Sequence, residues 1–299
     1  MSTKHLSLAL CASLALAAPA SAACNATISS VEPIDTIVYD PFDGNTESET
    51  FKVEFRNNGN DDCLLSLAIA STTTGSQRFF KHGGDQIQYV VETEGGSTYA
   101  NNITMPLGAI QLKGGEDRKT TTTVKVRIPA GLIAPGANYA DTLTLRLFQN
   151  PGSGPVQLGS DRNQQSTATI ESRAQVNIAG TAGAYGAFEL ERLNFGALTT
   201  NATRNAVVQV RATRPVAISV SSLNHGQLKH QTIPAAQSIP YAMVLDGSTV
   251  NLAIGSTLTR TPPLNLVGAN YNMLVTIGDT TNRPAGAYLD RITVNVMPQ

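Results

Sequence analysis

The sequence predicts an all-β fold, with two related antiparallel sandwich or barrel units in tandem. Three observations carry that reading. Short runs alternate apolar and polar residues with period two, the spacing of half-buried strands. Clusters of Gly, Asn, Asp and Pro punctuate the runs as turn signals. The second half of the chain repeats the strand pattern of the first. Composition agrees: of 299 residues 41% are apolar, enough for a packed core, and only 14% are charged, too few for bundles or coiled coils. Lys and Arg number 21 against 22 Asp and Glu, so the chain has no basic footprint for nucleic acid or an anionic membrane.

The chain opens on an export signal at 1–22, with Lys4 as the basic start, an apolar run at 6–18 and Ala20-Ser21-Ala22 as a small-residue cleavage site. Its removal takes Cys11 and leaves Cys24 and Cys63 in an oxidising compartment, where two thiols most simply form one disulfide. The competing reading is a lipoprotein acylated at Cys24, which would orphan Cys63. No later run reaches the ~18 apolar residues of a membrane span.

Strand signals follow in order. Phe51–Phe55, Val124–Ile128, Leu143–Leu147 and Ile218–Val220 alternate, separated by turn clusters at 57–62, 95–96, 113–115 and 246–247. Residues 150–165 read as a polar Gly/Pro-rich loop, and 168–178 as one long alternating run shared between the two units. The repeat pairs Tyr139, Asp141, Leu143, Leu145 and Leu147 with Tyr288, Asp290, Ile292, Val294 and Val296, all on one strand face. Upstream, Gln88–Val91 matches Pro240–Met243, and Phe51–Phe55 with Leu64–Ile69 matches Val207–Val210 with Val216–Val220. The implied divisions are 1–22, 23–175 and 176–299. The Tyr and Asp of each repeat read as groups that satisfy backbone at a sandwich corner rather than as catalysts.

Catalytic and metal signatures are missing. His82, His225 and His230 stand at no metal spacing, and 225–230 reads as an exposed polar stretch. There is no nucleophile elbow, P-loop or dinucleotide fingerprint, and Asp43–Asn45 and Gly83–Asp85 read as tight turns rather than calcium loops. No catalytic residue, metal ligand or cofactor is expected.

At this point the residues resemble a family: the spore coat protein U-like pilins, subunits of archaic (Csu-type) chaperone–usher pili. The second half carries most of the likeness, through Leu193-Asn194-Phe195-Gly196, Ile239-Pro240-Tyr241 and Gly286-Ala287-Tyr288-Leu289-Asp290 ahead of the terminal alternation. The first half resembles the first domain of two-domain members, with Tyr39-Asp40-Pro41-Phe42, Asn57-Asn58-Gly59 and Cys24 paired to Cys63. One departure is that the second half has no Cys, where many single-domain members carry a bridge.

The resemblance implies immunoglobulin-like antiparallel β-sandwiches, the C-terminal one lacking its last strand. It implies a periplasmic pilus chaperone that fills the gap, an outer-membrane usher, and an adjacent pilin subunit that donates an N-terminal strand. Tyr288, Ile292, Val294 and Val296 would line the groove for that strand. The 168–178 run leaves the first unit complete, and the end of the sequence soon after Val296 leaves the second open. Cys24, so close to the cleavage site, leaves no free strand of ordinary length to donate, which implies a place at the pilus tip. Tip adhesins of this family bind abiotic or host surfaces, as in biofilm formation, through exposed apolar loops. The candidates are Phe79 and Phe80, Met105, Leu107 and Ile110, and Leu132 and Ile133. The other readings are a structural spore-coat or matrix subunit without adhesive role, and a glycan-binding lectin-like module.

Overall fold

The computed structural model describes residues 24–115, 118–150, 154–178, 185–186, 190–233 and 235–299. The export signal at 1–22 lies outside the described residues. Among the described residues there is no helix.

The first ten strands are β1 (Ala26–Val31), β2 (Ile37–Tyr39), β3 (Glu47–Asn57), β4 (Cys63–Ser71), β5 (Arg78–His82), β6 (Asp85–Thr93), β7 (Leu107–Leu112), β8 (Arg118–Ile128), β9 (Ala137–Gln149) and β10 (Val156–Ile170). They pair in the order β1-β3-β8-β6-β5-β9-β10-β2, with β4 beside β9 and β7 beside β4. The layer β1-β3-β8-β6 thus faces the layer β7-β4-β9-β10-β2, and β5 joins the two where Lys81 meets Ala140. The alternation in each strand fills the space between the layers. Phe51, Val53, Phe55, Val124, Val126 and Ile128 from one layer meet Leu65, Leu67, Ile69, Leu143, Leu145 and Leu147 from the other, all buried. The Cys24–Cys63 disulfide staples the segment just before β1 to β4, with Cα atoms 5.5 Å apart.

The second ten are β11 (Ala174–Ile178), β12 (Thr203–Ala212), β13 (Val216–Ser222), β14 (Gln227–His230), β15 (Ile239–Leu245), β16 (Ser248–Val250), β17 (Ser256–Arg260), β18 (Ala269–Ile277), β19 (Tyr288–Leu289) and β20 (Ile292–Pro298). One sheet runs β11-β12-β18-β15-β14-β19, with β16 beside β15; the other is β17-β13-β20. The repeat in the sequence is therefore a repeat in space. β1-β3-β8-β6 matches β11-β12-β18-β15, and β4-β9 matches β13-β20. This is the all-β, two-domain, immunoglobulin-like arrangement, and among the described residues the second copy has no counterpart of β10.

Two sequence readings change in detail. The expected loop at 150–165 is cut back at its C-terminal side, because β10 begins at Val156 and pairs with β9 from Gln149 onward. Its Gly and polar residues at 159–161 are absorbed as a register shift in the ladder, a bulge on an otherwise regular strand. The run 168–178 is broken between Ile170 and Ala174, and β11 pairs along its whole length with β12. Residues 171–173 thus separate β10 from β11, and position 175/176 lies within β11.

That junction is well bonded. Gly136 N–H donates to Thr213 O at 3.0 Å, and Arg214 Nε donates to Gly136 O at 2.8 Å. Thr213 Oγ1 donates to Glu171 O at 2.9 Å and accepts from Arg173 N at the same distance. A Cβ on Gly136 would stand 2.8 Å from Ser172 Oγ, so the close approach requires glycine there. Arg211 of β12 lies between two rings, 4.6 Å from the Phe42 centroid and 4.3 Å from that of Tyr185, while Gln175 Oε1 accepts from its Nη2 at 2.7 Å.

Candidate functional site

The site is built on the last strand. Ile292, Val294 and Val296 alternate with Thr293 and Asn295, so one face of β20 carries three aliphatic side chains. They pack against the core of the second domain but remain half-exposed. β20 pairs antiparallel with β13, from Ser222↔Ile292 to Val216↔Pro298. Among the described residues no strand pairs with its other edge. β9 has β4 on one side and β10 on the other.

A polar anchor holds the start of β20. Asp290 Oδ2 accepts from Ser222 Oγ and from Tyr241 Oη, both at 2.6 Å. Its Oδ1 accepts from Asn224 N at 3.0 Å and Arg291 N at 2.7 Å. The same constellation stands at β9, where Asp141 Oδ2 accepts from Tyr89 Oη at 2.7 Å and its Oδ1 accepts from Thr72 Oγ1 and Thr142 N. Tyr139 donates to Pro135 O at 2.8 Å and Tyr288 to Pro284 O at 3.0 Å. Burial first, and the facing carboxylate next, push the Tyr89 and Tyr241 phenols far above the ordinary tyrosine range. Burial alone leads for Tyr139, pushed up to about 12. These phenols stay protonated near neutrality and serve as fixed donors, the corner role read from the repeat.

His230 completes the anchor, and here the sequence reading is corrected: the ring is buried, not exposed. Its Nδ1 faces Thr232 N at 3.2 Å and Ile233 N at 3.1 Å and so accepts; Nε2 is left to donate to Ala285 O at 3.2 Å. The ring meets Tyr288 edge-on at 4.9 Å. Gly286 has φ +150° and lies so close that a Cβ would stand 2.2 Å from His230 Nε2. His225 is exposed, as expected.

The apolar loop candidates separate. Phe80 is fully buried on β5, stacked on Tyr89 with centroids 4.1 Å apart, and is unable to touch a target surface. It was drawn into the core by strand alternation, while Phe79 beside it stays half-buried. Met105 is 56% exposed. Leu107 and Ile110 lie on β7, partly buried against the core. Leu132 and Ile133 are half-buried on the β8–β9 loop, which ends at Gly136 and hence at the domain junction, not at the free end of the molecule. Sequence reasoning missed the Arg211 sandwich and the buried Arg78, whose guanidinium donates to Ile69 O, Tyr99 O and Ala100 O at 2.5–2.7 Å. A shallow, mainly apolar hollow of about 290 Å³ opens on the β2–β10–β9 face, lined by Thr36, Asn138, Thr167 and Thr169 together with Tyr139, Ala140 and Ala168.

No family model matches the chain, and no curated protein matches it. Solved structures do. The chain shares its fold with the CsuE subunit in the CsuC–CsuE chaperone–tip adhesion subunit pre-assembly complex from archaic chaperone–usher Csu pili of Acinetobacter baumannii, at 15% identity and a TM-score of 0.51. That match covers 91% of this chain and 99% of the other. The CupB6 tip adhesin from Pseudomonas aeruginosa matches at 10% identity and a TM-score of 0.40, over 91% and 92% of the two chains. The CFA/I adhesin CfaE of enterotoxigenic Escherichia coli matches at 11% and 0.39, over 91% and 88%.

Proposed function

We propose that this chain is a tip adhesin subunit of a chaperone–usher pilus, exported through the periplasm to the cell surface and without enzymatic activity. Domain one attaches the cell to an abiotic or host surface. Domain two joins the fibre by accepting a strand on the free edge of β20, first from a periplasmic chaperone at the usher and then from the adjacent subunit. The carrying observation is that the inner residues of β20 are only half-buried beside an edge that no strand among the described residues pairs, while the same residues of β9 are sealed under β10. The tip position is supported by the use of the N-terminal segment in domain one itself: Cys24 is bridged to Cys63, and β1 pairs with β3 from Ala26.

The assembly reading is tested by refolding the full chain with a synthetic peptide of the alternating N-terminal strand of a pilin from the same pilus. The expected result is a higher melting temperature for domain two, because a ligand that binds only the folded state stabilises it. No shift with any such strand would sink the reading. For attachment, the remaining candidates are Phe79, Met105, Leu107 and Ile110. Pili carrying Phe79→Ser, Met105→Ser and Ile110→Ser together are expected to lose surface attachment at unchanged pilus number; unchanged attachment removes these residues from the role. The lectin-like reading has one observation in its favour, the hollow that Thr36, Asn138, Thr167 and Thr169 share with Tyr139, Ala140 and Ala168, although Thr36 already bonds Thr167 and Thr169 already bonds Asn138. Saturable inhibition by one glycan would select it.

A further inference from the structure

We propose that the apolar pole formed by Leu223, Ile254 and Leu289 seats the folded body of the subunit whose strand lies on β20. The inference rests on the strand-acceptor reading above and assigns a second surface to the same partner.

Leu223 and Ile254 stand on turns and Leu289 on β19, and the three segments converge at the Ile292 end of β20. Leu223 N donates to Arg291 O at 2.9 Å, Asn224 Nδ2 donates to Leu289 O at 3.3 Å, and His225 Nδ1 lies 2.9 Å from Ala253 O. The first turn is held on both sides of Leu223, because Ser222 and Asn224 both bond Asp290. Leu223 is nevertheless 68% exposed, Ile254 86% and Leu289 60%. Large aliphatics gathered on pinned backbone and turned to solvent mark an interaction surface more than they mark a loose loop.

Geometry says what covers them. At its other end β20 runs into domain one: Gln299 N donates to Pro215 O at 2.8 Å, and the preceding Arg214 and Thr213 are bonded to Gly136 of domain one. A strand on β20 has no room for a folded body beyond Pro298. The body must stand at the Ile292 end, against the pole. Domain one supplies the direction. β10 lies antiparallel on β9, with Val156 opposite Gln149 at one end and Ile170 opposite Ala137 at the other. A strand laid on β20 in that sense leaves the groove by its C-terminal end at the Ile292 pole, so the body follows the strand in sequence.

The experiment compares two complexes of the full chain, carrying either the native residues or Leu223→Ser with Ile254→Ser. One complex holds the neighbour's strand as a synthetic peptide. The other is the natural pair of this chain and its strand donor, recovered from sheared and partly dissociated pili. Exposed positions tolerate Ser, so folding of the variant is expected to be intact. The expected result is an unchanged peptide complex and a natural pair that dissociates in denaturant roughly tenfold to a hundredfold faster, from the lost burial of two aliphatic side chains. Equal dissociation of native and variant pairs overturns the proposal. So does equal weakening of both complexes, which would make the pole part of the fold. Loss of chaperone binding with an unaffected natural pair overturns it in favour of the chaperone as occupant. A peptide that binds neither form removes the strand-acceptor reading itself, a distinct result.

Discussion

In β9, Leu143, Leu145 and Leu147 are sealed from solvent; in β20, Ile292, Val294 and Val296, at the same offsets from the same Tyr and Asp, are half-exposed. Both strands have the same neighbour on one side, β4 for β9 and β13 for β20, and both are anchored by a Tyr–Asp bond of nearly equal length. The difference lies in the lateral neighbour. β10 covers β9, and nothing among the described residues covers β20 in that way. Alternation in a sequence therefore specifies which face turns inward, while the completeness of burial belongs to the partner strand. Burying an aliphatic side chain fully contributes roughly 1.5–3 kcal/mol, so covering the remaining surface of three partly buried ones is an effect of about 1–3 kcal/mol in all.

The largest predicted effect separates the domains by their covalent staple. Replacing Cys24 and Cys63 together by Ser opens a loop with a sequence separation of 39. The expected cost is about 4 kcal/mol in the chain-entropy model. Only domain one is expected to lose it, seen in calorimetry as a fall of one transition and in hydrogen exchange as faster exchange in β3 and β4 with β12 and β18 unchanged. If both domains fall together, the junction couples them and the comparison must be made on the whole molecule.

The next test breaks the comparison at its centre. Leu143→Ala is expected to cost about 2–5 kcal/mol, as a large-to-small change in a closed core. The equivalent Ile292→Ala is expected to cost roughly 1–2 kcal/mol in the uncomplemented chain, since that side chain is only partly buried. Denaturant unfolding of the full chain reads both. Addition of the neighbour's strand is expected to raise the Ile292→Ala cost toward that of Leu143→Ala. Equal costs without the strand would mean β20 is already sealed.

Where the two strands agree, the substitutions are expected to agree. Tyr89→Phe and Tyr241→Phe each remove a buried hydroxyl bonded to a carboxylate, an interaction of roughly 1.5–3 kcal/mol. Near-equal losses would show that the corner is built before any strand arrives. A negligible loss for Tyr241→Phe would mean that the anchor of β20 forms only on complementation.

What was legible in the sequence follows the same division. Period two exposed the strands and their inward faces, and the Tyr–Asp spacing marked matching corners, because both are properties of a single segment. The fate of Phe79 and Phe80 was not legible. The tight turn read at Gly83–Asp85 closes a β5–β6 hairpin, and it is that hairpin which turns Phe80 onto Tyr89. Arg78 disguised that strand further: a charged residue at an inward position is tolerated only because three carbonyls receive it. The burial of His230 and the clamp of Arg211 between Phe42 and Tyr185 join residues from distant segments, and no local period records such meetings.

The smallest predicted effect sharpens a difference between the matched ladders β6–β8 and β15–β18. In the first, Glu92 stands opposite Lys125, with Arg127 beside it at 2.6 Å; in the second, Val244 stands opposite Leu274, and Thr276 takes the place of Arg127. The hydrogen bond from Arg127, ahead of the nearby positive charge of Lys125, holds the Glu92 carboxyl below the ordinary glutamate range. A lowered folded-state pKa contributes stability that is fully present above the unfolded value, near 4.3, and is lost as pH falls through the folded value. Glu92→Gln is therefore expected to cost about 1 kcal/mol at neutral pH, and the gap between variant and parent is expected to close as the solution is acidified below about pH 4. The matched position in domain two carries no ionisable pair, so Val244→Thr is expected to show no such closing gap. If the Glu92→Gln cost persists unchanged in acid, the interaction is packing rather than charge, and the two ladders differ less than their sequences suggest.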